Sequence, residues 1–371
     1  MKVLFIHNSI PEYRVEFMKK LSGMADVHYI VTDMNLAFTI YGLDGNDLRG
    51  LSVSIMERWK LNTISKYIQL NKPNIVVLPP PDDFYQFVCG LYSILFAKKH
   101  DCKVVFWTEA WTGKSMPMIK RIKKAIHGTM IWLLAKPSDI CIASGSRSAD
   151  YLKSLGISIS KIKICYDSST SPFCKNVDIR RKYDIPQNKK IILYLGRIVA
   201  RKGLDILIKS INEIKSLGYD ICLLVVGDGE FKNNCIQLSK DMSLIDEVRF
   251  VGKIQPAQRA AYYSVADVFV LPSYSLGGTI EAWGLTVNES LEQGTPVVST
   301  DAVGAAYDLL DGKCGKMVDE RNVNALTRAI VNMITIENKE IIARACKMKY
   351  REYSVDVMAT EFFRAFEILA I

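Results

Sequence analysis

Two acidic side chains near the middle of the second half stand where an anionic, hydroxyl-bearing ligand would need them. Glu281 and Glu289 lie in the stretch Ser275–Thr300 with seven residues between them. Gly277 and Gly278 precede the first, and Gly284 separates it from the second. After Gly284, the pattern of Leu285, Val287 and Leu291 against Asn288, Glu289, Glu292 and Gln293 predicts a short helix. Gly294 stops it, and Val297–Ser299 reads as the next strand. A glycine-opened helix start gathers free amides that suit an anion. Glu281 on the approach loop and Glu289 a turn into the helix suit the hydroxyls of the same ligand. On this segment alone, a solvated loop with two surface carboxylates is an equal reading.

Cations precede this stretch. A strand-like run ends in Gly196-Arg197-Ile198-Val199-Ala200-Arg201-Lys202-Gly203, where a phosphate would meet a helix start. Arg197 offers a planar fork and Lys202 a point charge, a pairing that suits a diphosphate. Two surface cations on a loop are the plainer alternative. Gly227-Asp228-Gly229-Glu230 ends the next strand-like run, and its glycines permit close approach of a ligand. In the first half, Glu109 ends an apolar run between Trp107 and Trp111. A carboxylate against indole rings has its pKa raised and suits proton exchange with a hydroxyl. A hydrogen-bonded loop carboxylate beside core tryptophans reads equally well.

The elements that must hold these residues follow from the apolar pattern. The first half alternates Lys2–Ile6, Val27–Val31, Ile75–Leu78, Val104–Trp107, Ile140–Ala143 and Lys161–Cys165 as strands with amphipathic helices between them. The second half repeats this grammar from Lys190–Leu195 onward. Such alternation predicts an α/β chain of two Rossmann-like, doubly wound domains with a cleft at the carboxyl ends of both sheets. We expect domain one over 1–166, the polar stretch Tyr166–Pro172 as linker, and domain two over 167–352. The run Val355–Ile371 reads as an amphipathic last helix. With 371 residues, 49% of them hydrophobic, the chain can build two full cores. Nine scattered cysteines without CxxC spacing argue against a disulfide framework or a zinc site and fit a reducing cytosol. The N-terminal apolar run is too short for a signal peptide, and no run is long enough to span a membrane. The absence of GxGxxG after the first strand of either half argues against a dinucleotide oxidoreductase. No Asp-x-Asp occurs, so no carboxylate pair for a divalent metal under a diphosphate is present.

Jointly, Gly196-Arg197…Lys202-Gly203, the GDGE turn and the Glu281/Glu289 pair resemble the retaining glycosyltransferases of family 4, which have the GT-B fold. The resemblance covers residues 188–335; the first half matches in organisation only. It implies that Arg197 and Lys202 hold the diphosphate of a nucleotide-sugar donor. It also implies that Glu281 contacts the sugar near the reacting centre and that Glu289 binds the ribose. Amides near Gly284, Leu285 and Thr286 would complete the phosphate and sugar contacts, with Gly227 at the adjoining turn. The base would lie against Gly252, Lys253 and Ile254 and against Pro272 and Ser273. The last helix would cross back onto the first domain. The glycine pair that many members carry in the first loop is replaced here by His7–Arg14. Arg14 is a candidate to supply the charge, or a surface residue at a helix start. Glu109 stands where many members place a histidine.

The expected activity is transfer of a sugar, with retention, from a nucleotide diphosphate sugar to a hydroxyl of a glycan or lipid-linked acceptor. No metal or other cofactor is expected. A nucleotide-sugar epimerase on the same scaffold and a non-catalytic nucleotide-sugar binder are the alternatives. A nucleic-acid partner is not expected. The charge of +9 is uneven: the first 166 residues carry 22 basic and 13 acidic side chains, and the remainder carries 26 of each. From Ala110 to Ser138 no acidic residue occurs, while Lys114, Lys120, Arg121, Lys123, Lys124 and Lys136 are basic. Ile119, Ile122, Ile126, Met130 and Leu133 form one helical stripe there, with Lys120, Arg121 and Lys124 turned away. That helix reads either as a core helix or as a peripheral contact with an anionic membrane. A cytoplasmic enzyme at the inner face of the plasma membrane is the matching location.

Overall fold

The computed structural model describes residues 1–33, 48–113, 118–171 and 177–370, with residues 118–121 described by their backbone alone. The chain divides into two compact units. The first comprises Met1–Trp111, Pro117–Ser169 and Val355–Ile371; the second comprises Thr112–Met116 and Thr170–Ser354.

The first unit is a parallel sheet of β1 (Lys2–His7), β2 (Asp26–Val31), β3 (Ser52–Ile55), β4 (Ile75–Leu78), β5 (Lys103–Thr108), β6 (Ile140–Ala143) and β7 (Ile162–Ile164). Their order is β3-β2-β1-β4-β5-β6-β7. The order reverses between β1 and β4, which makes their carboxyl ends the switch point where ligands bind in such sheets. Around it lie α1 (Glu12–Met24), α2 (Asn62–Asn71), α3 (Phe84–Lys99), α4 (Met118–Ala135) and α5 (Ser146–Ser154). Alternation along β1 separates two cores. Val3 and Phe5 pack towards α1 and the C-terminal helix Val355–Ala370, while Leu4 and Ile6 pack towards α2 to α5. The C-terminal helix thus crosses back onto the first unit. Phe362 sits with its ring centre 4.9 Å from that of Phe17 and 5.2 Å from that of Trp107.

The second unit is also parallel, with β8 (Lys190–Leu195), β9 (Ile221–Val226), β10 (Val248–Gly252), β11 (Val268–Leu271), β12 (Val297–Thr300) and β13 (Gly315–Val318) in the order β10-β9-β8-β11-β12-β13. Its helices are α6 (Ile179–Lys182), α7 (Leu204–Ser216), α8 (Lys232–Asp241), α9 (Arg259–Val265), α10 (Thr286–Glu292), α11 (Gly304–Leu309), α12 (Val323–Ile334) and α13 (Lys339–Glu352). Its switch point falls between β8 and β11.

Three expectations change. The polar stretch expected as the linker is buried in its first part: Asp167, Ser168 and Ser169 are fully enclosed, and Asp167 pairs with Arg14. The division between units falls after Ser169. The edge strands β3 and β13 carry no continuous apolar run, since an edge strand leaves part of its surface to water, and the pattern missed them. The stripe on α4 is rotated. Ile122, Ile126 and Leu133 are exposed, while Gly128, Ile131, Leu134 and Ala135 are buried and Lys124 is half-buried. From Met130 to Ala135 the helix is apolar on every side, so spacing there could not choose. Close approach chose: a Cβ on Gly90 of α3 would sit 2.9 Å from Leu134, and one on Gly128 would sit 3.0 Å from the Tyr151 hydroxyl. The side chains of Ile119, Lys120 and Arg121, and all of Lys114, lie outside the described residues.

Candidate functional site

In the second unit the loops after β8 and β11 press together. Gly203 has φ +71°, and a Cβ there would lie 2.0 Å from the Pro272 carbonyl oxygen, so only glycine closes this turn. That closure brings Lys202 and Arg201 onto Glu281. Lys202 Nζ stands 2.6 Å and Arg201 Nη1 2.7 Å from the same carboxylate oxygen. Burial pushes the Glu281 pKa up, but the two cations outweigh it and hold the group down at about 2. The result is a permanently ionised carboxylate under a net positive charge. Arg197 lies exposed on the same loop. Arg201 was passed over in the sequence because three cations within six residues on an irregular turn give no periodicity to choose by.

Glu289 is not a surface carboxylate. It is 3% exposed, accepts a hydrogen bond from the Tyr263 hydroxyl at 3.0 Å, and pairs with Arg259 at 3.2 Å. Both partners come from α9, which spacing within α10 could not reveal. Gly284, with φ +99°, precedes Leu285 and Thr286 at the start of α10; a Cβ on it would lie 2.8 Å from Val303 Cγ1. Gly227 has a different reason to be glycine from the one its turn suggested. A Cβ on it would lie 1.9 Å from the Gly196 carbonyl oxygen, so the close approach is between the loops after β9 and β8. Lys253 is exposed and Ile254 half-buried after β10, while Pro272 and Ser273 are buried. Ser273 Oγ has no hydrogen-bond partner among the described residues, which leaves a buried donor at the switch point.

In the first unit the switch point gathers charge from four loops. Arg14, expected at a helix start, is 2% exposed. Its guanidinium makes a two-pronged pair with Asp167, one prong Nη2 to Oδ2 at 2.7 Å, and also binds Glu109. It lies 4.8 Å from the Trp107 ring centre. Burial opposes the charge on Arg14, but Asp167 and Glu109 raise its pKa beyond its ordinary value. Glu109 shifts upward towards neutral pH. Lost hydration is the main cause and the neighbouring Asp167 the next, with Arg14 pulling the other way. Its side chain keeps 36% of its surface open. Trp107 and Trp111 are both core residues, Trp107 donating to Ser144 Oγ at 2.8 Å. His7 is held neutral, with its pKa lowered to about 4 by burial and by Arg14, and its ring bonds the Ser9 carbonyl. Across the switch point Asn8 Nδ2 donates to Asp82 at 2.5 Å. Asp167 escaped the sequence reading because it sits among turn-forming residues.

Among the described residues no cluster of His, Cys, Asp and Glu is suited to a metal ion. All eight described cysteines are free and buried; Cys174 lies outside the described residues. No described helix is long and apolar enough to cross a membrane.

Residues 176–349 match the family described as glycosyl transferases group 1. The chain is 30% identical over 158 residues to a GDP-mannose-dependent alpha-(1-6)-phosphatidylinositol monomannoside mannosyltransferase of Mycolicibacterium smegmatis, covering 42% of this chain and 41% of that protein. It is 33% identical over 155 residues to the lipopolysaccharide core biosynthesis glycosyltransferase LpsE of Rhizobium meliloti, covering 42% of each chain. The chain thus spans less than half the length of these curated relatives. In fold it is similar to Anabaena HepE in complex with UDP, with a TM-score of 0.78 over 99% of this chain and 100% of that one at 15% identity. The stretch from Arg197 to Glu289 lies wholly inside the family match, and both sheets are shared with the solved structure. Residues 176–349 thus resemble the glycosyl transferases group 1, and the chain as a whole has the GT-B fold.

Proposed function

We propose that this chain transfers a sugar, with retention and without a metal, from a nucleotide diphosphate sugar to a hydroxyl of a glycan or lipid-linked acceptor. The observation that carries the reading is the cationic pair Arg201 and Lys202 closed over Glu281 at the β8/β11 switch point. A surplus of cation suits a diphosphate whose charge grows as the glycosidic bond breaks. In this reading Arg197 and Lys202 take the diphosphate, and Arg201 keeps Glu281 ionised when Lys202 turns to phosphate. Glu281 meets the sugar hydroxyls, with amides from Gly284, Leu285 and Thr286 beside it. Glu289, aimed by Tyr263 and Arg259, meets the ribose. The base lies against Lys253, Ile254, Pro272 and Ser273. The first unit offers the acceptor. Glu109, held by Arg14 and Asp167, accepts the hydroxyl proton as the new C–O bond forms and the diphosphate departs.

The names of the relatives support a nucleotide diphosphate donor and a glycolipid acceptor, since they include GDP-mannose dependence, phosphatidylinositol and lipopolysaccharide core. Assembly of a cell-surface polysaccharide or glycolipid in the cytoplasm, at the inner face of the plasma membrane, is the matching role. The test is a screen of UDP- and GDP-sugars for acceptor-dependent release of nucleoside diphosphate, with the anomeric configuration of the product read by NMR. Release that needs an acceptor and retains configuration is expected. Conversion of the donor sugar without any acceptor would instead make the protein an epimerase, and binding without turnover a sensor.

A further inference from the structure

The side of α3 and α4 that faces away from the sheet carries two apolar stripes rather than polar ones. Both helices cover the same face of the first sheet, packing with α2 and α5 over Leu4, Ile6, Val76 and Phe106. They touch each other at Gly90 and Leu134. On α4, Ile122, Ile126, Thr129 and Leu133 recur at i, i+4, i+7 and i+11, and all four are exposed, Ile122 to 64%. Trp132 is exposed on the adjoining row. At 100° per residue, Lys123 and Lys136 fall on either side of that stripe. On α3, Phe84, Val88, Leu91 and Leu95 repeat the same spacing, with Phe84 and Leu95 each 68% exposed and Lys98 and Lys99 flanking the far end. A soluble surface usually reverses this pattern, and contiguous apolar patches with a basic rim mark interaction sites.

Charge decides what the patch meets. Neither Phe84–Lys99 nor Met118–Ala135 contains an acidic residue. A protein partner with an ordinary mixed surface places no such demand on the 16 positions of one helix and the 18 of the other, whereas an anionic lipid surface repels every carboxylate brought to it. Apolar side chains at the headgroup boundary and lysines at the phosphates form the usual pattern of a helix lying in the interface plane. We infer that the outer faces of α3 and α4 together form a docking surface for an anionic lipid bilayer, with Leu95, Ile122, Ile126 and Trp132 entering the interface. This deepens the proposed role by giving a lipid-linked acceptor a surface from which to be presented, and it rests on that reading only for the acceptor's nature.

The test is co-sedimentation of the full chain with vesicles of phosphatidylcholine alone and with 40% phosphatidylglycerol, at about 0.05 and 0.5 M salt, where screening shortens to about 4 Å. Binding to the anionic vesicles at low salt, lost at high salt, is expected. The quadruple change Lys98→Gln, Lys99→Gln, Lys123→Gln and Lys136→Gln should lower the partition coefficient about 100-fold or more. The change Leu95→Ser, Ile122→Ser, Ile126→Ser and Trp132→Ser should also lower it, and it should abolish the blue shift of tryptophan emission that vesicles induce. Acceptor-dependent release of nucleoside diphosphate, measured with a soluble glycan, should stay within twofold in both variants, because none of these residues belongs to the donor or acceptor machinery. Equal recovery in the supernatant under all four conditions overturns the inference while leaving sugar transfer standing. Concentration-dependent dimerisation in light scattering, lost in the serine variant, would overturn it by assigning the face to a second copy. Vesicle binding with no turnover of any donor would keep the docking face and remove the proposed activity.

Discussion

The two switch points are built from the same materials in opposite proportions. In the second unit, two cations share one carboxylate, and Glu281 is driven down to about 2. In the first unit, two carboxylates share one guanidinium, and Glu109 is driven up. The residue types are alike; the count and the burial differ. A surplus cation is permanent and suits a ligand that arrives charged and leaves more so. A surplus carboxylate is titratable and suits a proton that must be held and released. The fold supplies a doubly wound sheet twice, and charge stoichiometry suits each switch point to a different task.

The sharpest way to break this contrast is to remove the shared guanidinium. Arg14→Leu removes the cation paired with buried Asp167, and breaking a buried ion pair in this way costs on the order of 3–5 kcal/mol. We expect a fall of that size in chemical denaturation at neutral pH. An unchanged midpoint would mean that the pair is solvated. Lys202→Ala or Arg197→Ala should lower kcat/KM by about 100-fold or more with little change in the denaturation midpoint, the scale of losing one stabilising donor at a developing charge. Wild-type turnover in either would end the diphosphate assignment. Glu281→Gln should act on kcat, since the sugar changes charge in the transition state, whereas Glu289→Gln should raise KM for the donor by about tenfold. A reversed split would exchange their roles.

Acidity separates the two sites more finely. Glu281 has a folded pKa below its unfolded value, so its contribution to stability is present above the ordinary carboxylate range and is lost as pH falls towards about 2. Glu109 has the opposite sign. Its raised folded pKa favours the folded state at acid pH, and that contribution is lost as pH rises towards neutrality. Glu109→Gln should therefore flatten the neutral limb of a stability–pH curve and leave the acid limb unchanged. If Glu109 takes the acceptor proton, the acid limb of the kcat/KM profile lies near neutral pH in the wild type and vanishes in the glutamine variant. The smallest expected effect is that of EDTA, which should leave turnover within experimental error. Strict dependence on added Mg²⁺ or Mn²⁺ would contradict a diphosphate neutralised by side chains alone.

Much of this protein is determined by local pattern. Continuous apolar runs such as Ile75–Leu78 and Ile221–Val226 mark buried parallel strands because water is excluded from both their faces. The strand–helix alternation then dictates two doubly wound sheets, with Glu109 at the end of β5 and Lys202 and Glu281 on the loops that follow β8 and β11. Tertiary structure decided whatever depends on partners distant in sequence. Arg14, Glu109 and Asp167 are drawn from the first turn of α1 and two loops, and no spacing within any one of them announces the triad. Arg259 and Tyr263 reach Glu289 from a neighbouring helix and bury a carboxylate whose own segment reads equally as ligand-facing or as solvated. On α4 the end Met130–Ala135 is apolar on every side, so periodicity there has no preferred direction. Only the close contacts at Gly90 and Gly128 fixed which stripe enters the core and which meets solvent.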